Sequence, residues 1–212
     1  MAREPTTERG RVTRDRVLSA ATRLVAEHGV AGVSLDDVEA EAGVGRSQLY
    51  YYFDDRDDLL RSVAAATADL VVGGLAGLLG DLDSFEGIDR WFAASVAMSQ
   101  ERSGLGGCPL GSLVSQLAER DEATRAVFVD AFARWEAPLI EGLGRMQARG
   151  ELRADVSVTD LADLTMAAMQ GGLLLAQVRR DGNQLRLALS GARAALEAAR
   201  DRHVEQPWSA SA

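Results

Sequence analysis

The stretch that decides the fold is residues 34–53, SLDDVEAEAGVGRSQLYYYF. Ser34 followed three residues later by Asp37 reads as a helix N-cap in a short version of the capping box, in which the two side chains satisfy backbone N–H groups that a first turn leaves orphaned. Leu35 and Val38 supply the buried side of that helix. Gly43 ends it after two turns, because glycine takes the left-handed backbone that helix termini prefer. A further short helix runs from about Gly45 to Tyr52. Two short helices joined by Ala42-Gly43-Val44 have the spacing of a helix-turn-helix, whose second helix enters the DNA major groove. Val44 and Leu49 plug a three-helix core against Val17, Leu35 and Val38, which leaves Arg46, Ser47, Gln48, Tyr50 and Tyr51 pointing largely outward. Three consecutive tyrosines before Phe53 are costly to expose without a purpose, although packing is a competing role for some of those rings.

Working outward, helix patterns dominate and no run of alternating apolar residues makes a convincing strand. Upstream, Thr13 caps a helix with Val17, Ala21, Leu24 and Val25 on one face, stopped at Gly29. Downstream, Asp54-Asp55 breaks the pattern before a long helix carrying Leu59, Val63, Leu70 and Leu78. Ile88, Trp91 and Phe92 belong to a fifth helix. Gly104, Gly106 and Gly107 form a joint before a short sixth, Leu110 to Arg120. Phe128, Phe132, Trp135, Leu139, Leu143 and Met146 recur at three- and four-residue steps along a seventh. Ser157 with Asp160 opens an eighth that ends near Arg180, and a ninth runs from about Asn183 to His203. The expectation is an all-α chain of about nine helices.

Composition removes most other chemistries. Of 212 residues, 47% are hydrophobic and 26% charged, as in ordinary globular proteins, so wholesale disorder is excluded. One cysteine, Cys108, forms no internal disulfide, and two histidines, His28 and His203, with that single thiol make a zinc site improbable in kind. No metal and no cofactor is expected. Without lysine a G-x-x-x-x-G-K-[ST] phosphate cradle is impossible, and a nucleophile–histidine pair would have to use one of two helix-terminal histidines. The N-terminus has no apolar signal core, and the longest apolar stretch, Leu70 to Gly80, is about 11 residues against the ~20 of a membrane span. A cytoplasmic protein without a membrane partner is expected. All 23 basic residues are arginine, which a GC-rich coding sequence explains, and the net charge is −9. That charge is uneven: residues 1–23 hold six arginines against three acids, and residues 54–212 hold 16 against 24. A basic start on an acidic body points to a localised anion contact.

The segment Ala42-Gly43-Val44-Gly45-Arg46-Ser47-Gln48-Leu49-Tyr50-Tyr51-Tyr52-Phe53, followed by Arg56 and Leu59-Leu60, resembles the DNA-binding domain of TetR-family transcriptional regulators. The resemblance extends back through Thr13 to Leu18 and covers roughly residues 11–62. Gly45 stands where the family usually has a Ser or Thr cap, and Arg56 where it usually has Lys. The resemblance implies a flexible basic arm over 1–10, a DNA-binding domain over 11–56, an effector-binding and dimerisation domain over 57–205 and a tail over 206–212. Arg46 and Gln48 have the reach for guanine and adenine edges. Ser47 and Tyr51 add phosphate or thymine-methyl contacts. Ser34, Gly45, Tyr50, Tyr52 and Arg56 occupy positions that, by resemblance, grip phosphates and fix the docking angle. Arg14, with Arg11, either reaches the neighbouring groove or backbone or is a solvated arm charge.

In the second domain, Gly171, Gly172, Leu175 and Val178 on the eighth helix and Leu185, Leu189, Ala192 and Leu196 on the ninth form stripes suited to a homodimeric four-helix interface, or to burial within one subunit. Trp91, Phe92, Met98, Cys108, Phe128 and Phe132 either line an effector cavity or are plain core. The same two readings apply to Trp135, Met146, Met166 and Met169, with Ser95, Ser99, Gln116 and Gln170 as polar anchors. Gly107 to Leu113 and Gln170 to Ala176 are similar to the LmrA/YxaF-like branch, which implies drug-like or planar aromatic effectors. The expected function is a non-enzymatic repressor that binds a palindromic double-stranded operator as a dimer and is released by a small effector. The alternative is a helical protein-interaction module in which the tyrosine face meets a protein. Arg46→Ala is expected to cost about 1–3 kcal/mol of operator binding and to relax base preference, whereas Arg14→Ala mainly flattens the salt dependence; fluorescence anisotropy across a salt series separates the two.

Overall fold

Helix boundaries follow the capping chemistry in a computed structural model that describes residues 5–201. Among the described residues there are nine α-helices: α1 (Glu8–His28), α2 (Leu35–Ala42), α3 (Arg46–Tyr52), α4 (Arg56–Leu79), α5 (Phe85–Glu101), α6 (Pro109–Leu117), α7 (Glu122–Ala148), α8 (Val158–Arg179) and α9 (Asn183–Ala198). The all-helical expectation holds. Its first boundary does not: α1 is capped by Thr7, whose hydroxyl accepts from the Gly10 N–H at 3.1 Å, not by Thr13. Thr13 lies inside the helix, buried, and donates its hydroxyl to the Arg9 carbonyl at 2.9 Å. Residues 8–10 therefore belong to a helical turn and not to a flexible arm. Both threonines are competent caps, and Glu8 in the first turn favours the earlier one.

Packing divides the chain into two compact units. Among the described residues, those up to Gly73 together with Pro109–Ala131 make one, and Gly74–Cys108 with those from Phe132 onward make the other. This differs from a division at residue 56. Most of α4, through Gly73, all of α6 and the first turns of α7 pack with the helix-turn-helix.

In the first unit, Val17, Val25, Val38, Ala42, Leu49 and Phe53 close the core around α1–α3, with Leu49 and Phe53 fully buried. The α2 terminus has the expected capping box: the Asp37 N–H reaches the Ser34 hydroxyl at 3.2 Å, and the Ser34 N–H reaches the Asp37 carboxylate at 2.8 Å. Gly43 takes the left-handed conformation, φ 60° and ψ 43°, that allows the tight turn into α3.

In the second unit α8 and α9 lie along one another. A Cβ on Gly172 would stand 3.0 Å from both Leu185 Cα and Ala188 Cβ, so glycine is what lets the two backbones approach. Leu185, Leu189, Ala192 and Leu196 are at most 2% exposed, buried against their own subunit. That corrects their assignment to a dimer face, and Gly172 goes with them: periodicity marks a stripe as buried without naming what buries it. The ninth helix also ends earlier than expected. After Ala198 the chain turns to pair with residues 151–153, the Arg153 N–H bonding to Ala199 O at 2.9 Å and the Asp201 N–H to Glu151 O at 3.0 Å. His203 and the 206–212 tail lie outside the described residues.

The Asp37 carboxyl is held below its ordinary value of 3.8 by the Ser34 hydroxyl and then by the Ser34 N–H. A depressed folded-state value means that the stabilisation is complete above the ordinary carboxylate value and is lost as pH falls through the lowered one. The difference in thermal midpoint between the wild type and Asp37→Asn is thus expected to stay constant from neutral pH down to about pH 5 and to close below it. Thermal unfolding of both proteins against pH measures this.

Candidate nucleic-acid interface

The seven residues of α3 split by face. Leu49 and Tyr52 turn inward, and Arg46, Ser47, Gln48, Tyr50 and Tyr51 turn out. Tyr50 and Tyr51 are 45% and 56% exposed, unusual for such rings, whereas Tyr52 is 6% exposed and stacks edge-on against Tyr51 at 5.1 Å. Tyr52 is therefore a core residue with its hydroxyl beside Gly10 of α1, which corrects its placement among outward phosphate contacts. Gly45 is the N-cap of α3 and provides no side-chain bond. The space a Cβ would enter there is open, so the conformation accepts the Ser or Thr that the resemblance leads one to expect.

Four other expected contacts are engaged within the protein. Ser34 is exposed, but its hydroxyl is committed to Asp37 at 2.5 Å. Arg56 Nη2 donates to the carbonyls of Val30 at 2.6 Å and Val33 at 3.1 Å, so this guanidinium ties the α1–α2 loop to the start of α4. Arg14 lies with its guanidinium carbon 5.4 Å from the centre of the Phe53 ring, and its Nε is buried with no acceptor among the described residues. Its charge sits over an aromatic face and not on a free arm. Arg46, the expected base reader, is exposed and paired with two α2 carboxylates, Asp36 and Glu39.

Two residues of this unit, Gln116 and Phe128, were expected elsewhere. Gln116 of α6 was expected among ligand anchors; instead its Oε1 accepts from the Val30 N–H at 2.9 Å and its Nε2 donates to Ser112 O at 2.9 Å. Arg120 pairs with Asp57 at 2.9 Å, and Arg61 with Asp121 at 3.6 Å. The end of α6 and the turn after it thereby grip both the α1–α2 loop and the first turns of α4. No linear motif announces these partners, which lie some 60 to 90 positions apart.

Of the expected effector-lining residues, Trp91, Phe92, Ser95, Trp135, Met166 and Met169 are buried in the second unit. Phe132 and Cys108 are half-buried, Met98 is 41% exposed, and Phe128 packs in the first unit, not with the rest. The rings pair as Trp91–Phe92 at 5.2 Å and Phe132–Trp135, stacked at 6.2 Å. Trp91 Nε1, Trp135 Nε1 and Gln170 Nε2 are buried donors with no acceptor among the described residues. A cavity of about 510 Å³ lies between α5 and α9, lined by Phe92, Ala93, Val96, Ala97, Leu189 and Arg193 among others. Of these, sequence reasoning had put only Phe92 in a pocket; the repeat 89, 92/93, 96/97, 100 along α5 is the pattern that would have found the rest.

A short helix with a buried base and an exposed polar and aromatic face, set on a three-helix core, defines a helix-turn-helix DNA-binding protein. Residues 17–63 match the family model "Bacterial regulatory proteins, tetR family", and residues 85–192 match "Tetracyclin repressor-like, C-terminal domain". The chain belongs to the TetR family of DNA-binding transcriptional regulators and repressors, which are not enzymes. It is 27% identical over 183 residues to an HTH-type transcriptional regulator encoded in the lacX 3′ region of Lactococcus lactis, covering 82% of this chain and 88% of that one. With the HTH-type transcriptional regulator LmrA of Bacillus subtilis it shares 25% over 175 residues, or 82% and 90% of the two chains. The crystal structure of a TetR-family regulator from Cytophaga hutchinsonii has a similar fold, with a TM-score of 0.79 at 16% identity over 93% of this chain and 100% of that one. Family membership sets aside the protein-interaction module that stood as the alternative.

Gln116→Ala frees the Val30 N–H, and amide hydrogen exchange at Val30 is expected to accelerate about 10-fold, with roughly 1–2 kcal/mol lost from global stability. Gln116→Glu keeps the acceptor oxygen and is expected to preserve most of the protection.

Proposed function

We propose that this regulator is a repressor that holds a palindromic operator as a homodimer and releases it when a small, largely apolar effector binds the second unit. The observation that carries the DNA half is the exposed face of α3: Arg46, Ser47, Gln48, Tyr50 and Tyr51 project from a helix whose opposite side is fully buried, so they are presented on a rigid base. Arg46 and Gln48 read guanine and adenine edges, and Ser47, Tyr50 and Tyr51 supply backbone or thymine-methyl contacts. Ser34, Gly45, Tyr52, Arg56 and Arg14 act in this reading mainly by holding that geometry.

The dimer face is drawn from what the subunit leaves uncovered. Leu164, Leu174, Leu175 and Val178 on α8 and Leu187 on α9 are 45–73% exposed, and the position of a Cβ on Gly171 meets open space. By length and composition α8 is apolar enough to cross a membrane, yet only 33% of its most apolar stretch is buried. A second copy laid on the same face accounts for that apolar excess in a cytoplasmic regulator. The buried aromatic and methionine side chains, with three donors that have no acceptor among the described residues, support an effector that is aromatic and accepts hydrogen bonds through carbonyl, carboxylate or nitro oxygens. The segments 107–113 and 170–176 support a place in the LmrA/YxaF-like branch.

Analytical ultracentrifugation and anisotropy on a duplex from the chain's own upstream region test the reading together. The wild type is expected to sediment as a dimer and to bind with a steep salt slope; Val178→Arg is expected to shift it toward monomer and to weaken operator binding at least about 10-fold. A monomeric wild type that binds equally well, or a dimer unaffected by Val178→Arg, contradicts the assigned face.

A further inference from the structure

Arg46, at the first position of α3, does not stand free. Its Nε donates to Glu39 Oε1 at 2.9 Å, and its Nη2 pairs with Asp36 Oδ1. Asp36 and Glu39 are one turn apart on α2 and so share a face of that helix. The two carboxylates differ in setting: the Glu39 side chain is 17% exposed, and that of Asp36 is 76% exposed. An exposed ion pair exchanges readily with water and counter-ions, whereas a half-buried one is screened less and holds its geometry. A guanidinium carries five donors, and the guanine edge needs only two of them in parallel. The guanidinium can therefore keep Nε on Glu39 while giving up Asp36 to a base.

We propose that Asp36 and Glu39 form an acidic gate on the base-reading arginine. Glu39 is a positioning residue that fixes the direction of the guanidinium, and Asp36 is a competitor that a guanine edge displaces and a lone phosphate does not. The gate converts a cation that would cling to any duplex into one that is released only where two donors are matched at once. It rests on the assignment of Arg46 as a base reader. It gives Asp36 and Glu39 a role in a place where negative charge alone would weaken binding.

The test is a double-mutant cycle on the full-length protein, measured by anisotropy at fixed salt with an upstream-region duplex and a scrambled duplex of equal length. Asp36→Asn is expected to tighten the scrambled duplex about 5-fold and the operator duplex no more than about 2-fold, so that discrimination falls. In an Arg46→Ala background the same substitution is expected to change neither by more than about 2-fold, because nothing is left to gate. If its gain on scrambled DNA persists undiminished without Arg46, Asp36 acts by bulk charge and the gate is overturned. Unchanged discrimination in Asp36→Asn overturns it as well. For Glu39 the readout is base preference over a set of single-site operator variants. Glu39→Ala is expected to relax preference at the position that Arg46→Ala relaxes, and Glu39→Gln, which retains the acceptor oxygen, to restore it. Preference unaltered by Glu39→Ala removes the positioning role. Should Arg46→Ala itself leave discrimination intact, the underlying base-reading assignment fails, whatever Asp36 does.

Discussion

Everything in the proposed DNA-reading surface depends on the burial of Leu49 and Phe53 beneath α3. A helix of seven residues has no stability of its own in water, since nucleation costs more than two turns of hydrogen bonds return. This one also lacks a side-chain cap at Gly45. Its conformation is imposed by tertiary packing: both side chains are fully buried, the Arg14 guanidinium covers Phe53, and Tyr52 fills the space toward α1. Rigidity on that side is what lets the other side present Arg46, Gln48 and two tyrosines without losing their positions to disorder.

The same economy governs the loop before α2. Val30 and Val33 have no helix around them, and their backbone groups are satisfied from a distance by Arg56 of α4 and Gln116 of α6. The α6 segment is thereby part of the DNA-binding unit in packing, although in sequence it follows α5 of the other unit through Gly104, Gly106 and Gly107, all at positive φ. α4 likewise passes from one unit into the other as a continuous helix. The chain crosses between the units three times, within α4, before α6 and within α7, and the α4 and α6 connections end in named contacts, Arg56 to the loop carbonyls and Gln116 to the Val30 N–H.

Much of this was legible in the linear chain, and the rest was hidden for definable reasons. Local chemistry is written locally: the Ser34–Asp37 box, the Gly43 turn and the inward Leu49 were all readable at spacings of three or four residues. Where two neighbours were equally competent, as Thr7 and Thr13 are as caps, spacing alone did not choose. Stripes such as Leu185, Leu189, Ala192 and Leu196 declare that a face is buried but are silent on whether α8 or a second subunit buries it. Charges were the least legible. Arg56 read as a phosphate ligand because its carbonyl acceptors lie 23 and 26 positions away, and Gln116 read as a ligand anchor because its partner lies 86 positions away. The pairing of Arg46 with Asp36 and Glu39 crosses a turn between two helices, where no sequence rule places side chains.

The net charge of −9 is compatible with DNA binding once it is divided along the chain, because residues 1–53 carry seven arginines against eight acids and the surplus acidity lies beyond them. Low nonspecific attraction leaves affinity to a few placed contacts, and those contacts must come in two symmetry-related sets if a dimer makes them. Hydroxyl-radical footprinting of the upstream region measures that most directly. The account predicts two protected tracts on one face of the duplex, centred one helical turn or a whole multiple of about 10 base pairs apart. A single tract, or uniform protection without a repeat, would contradict it.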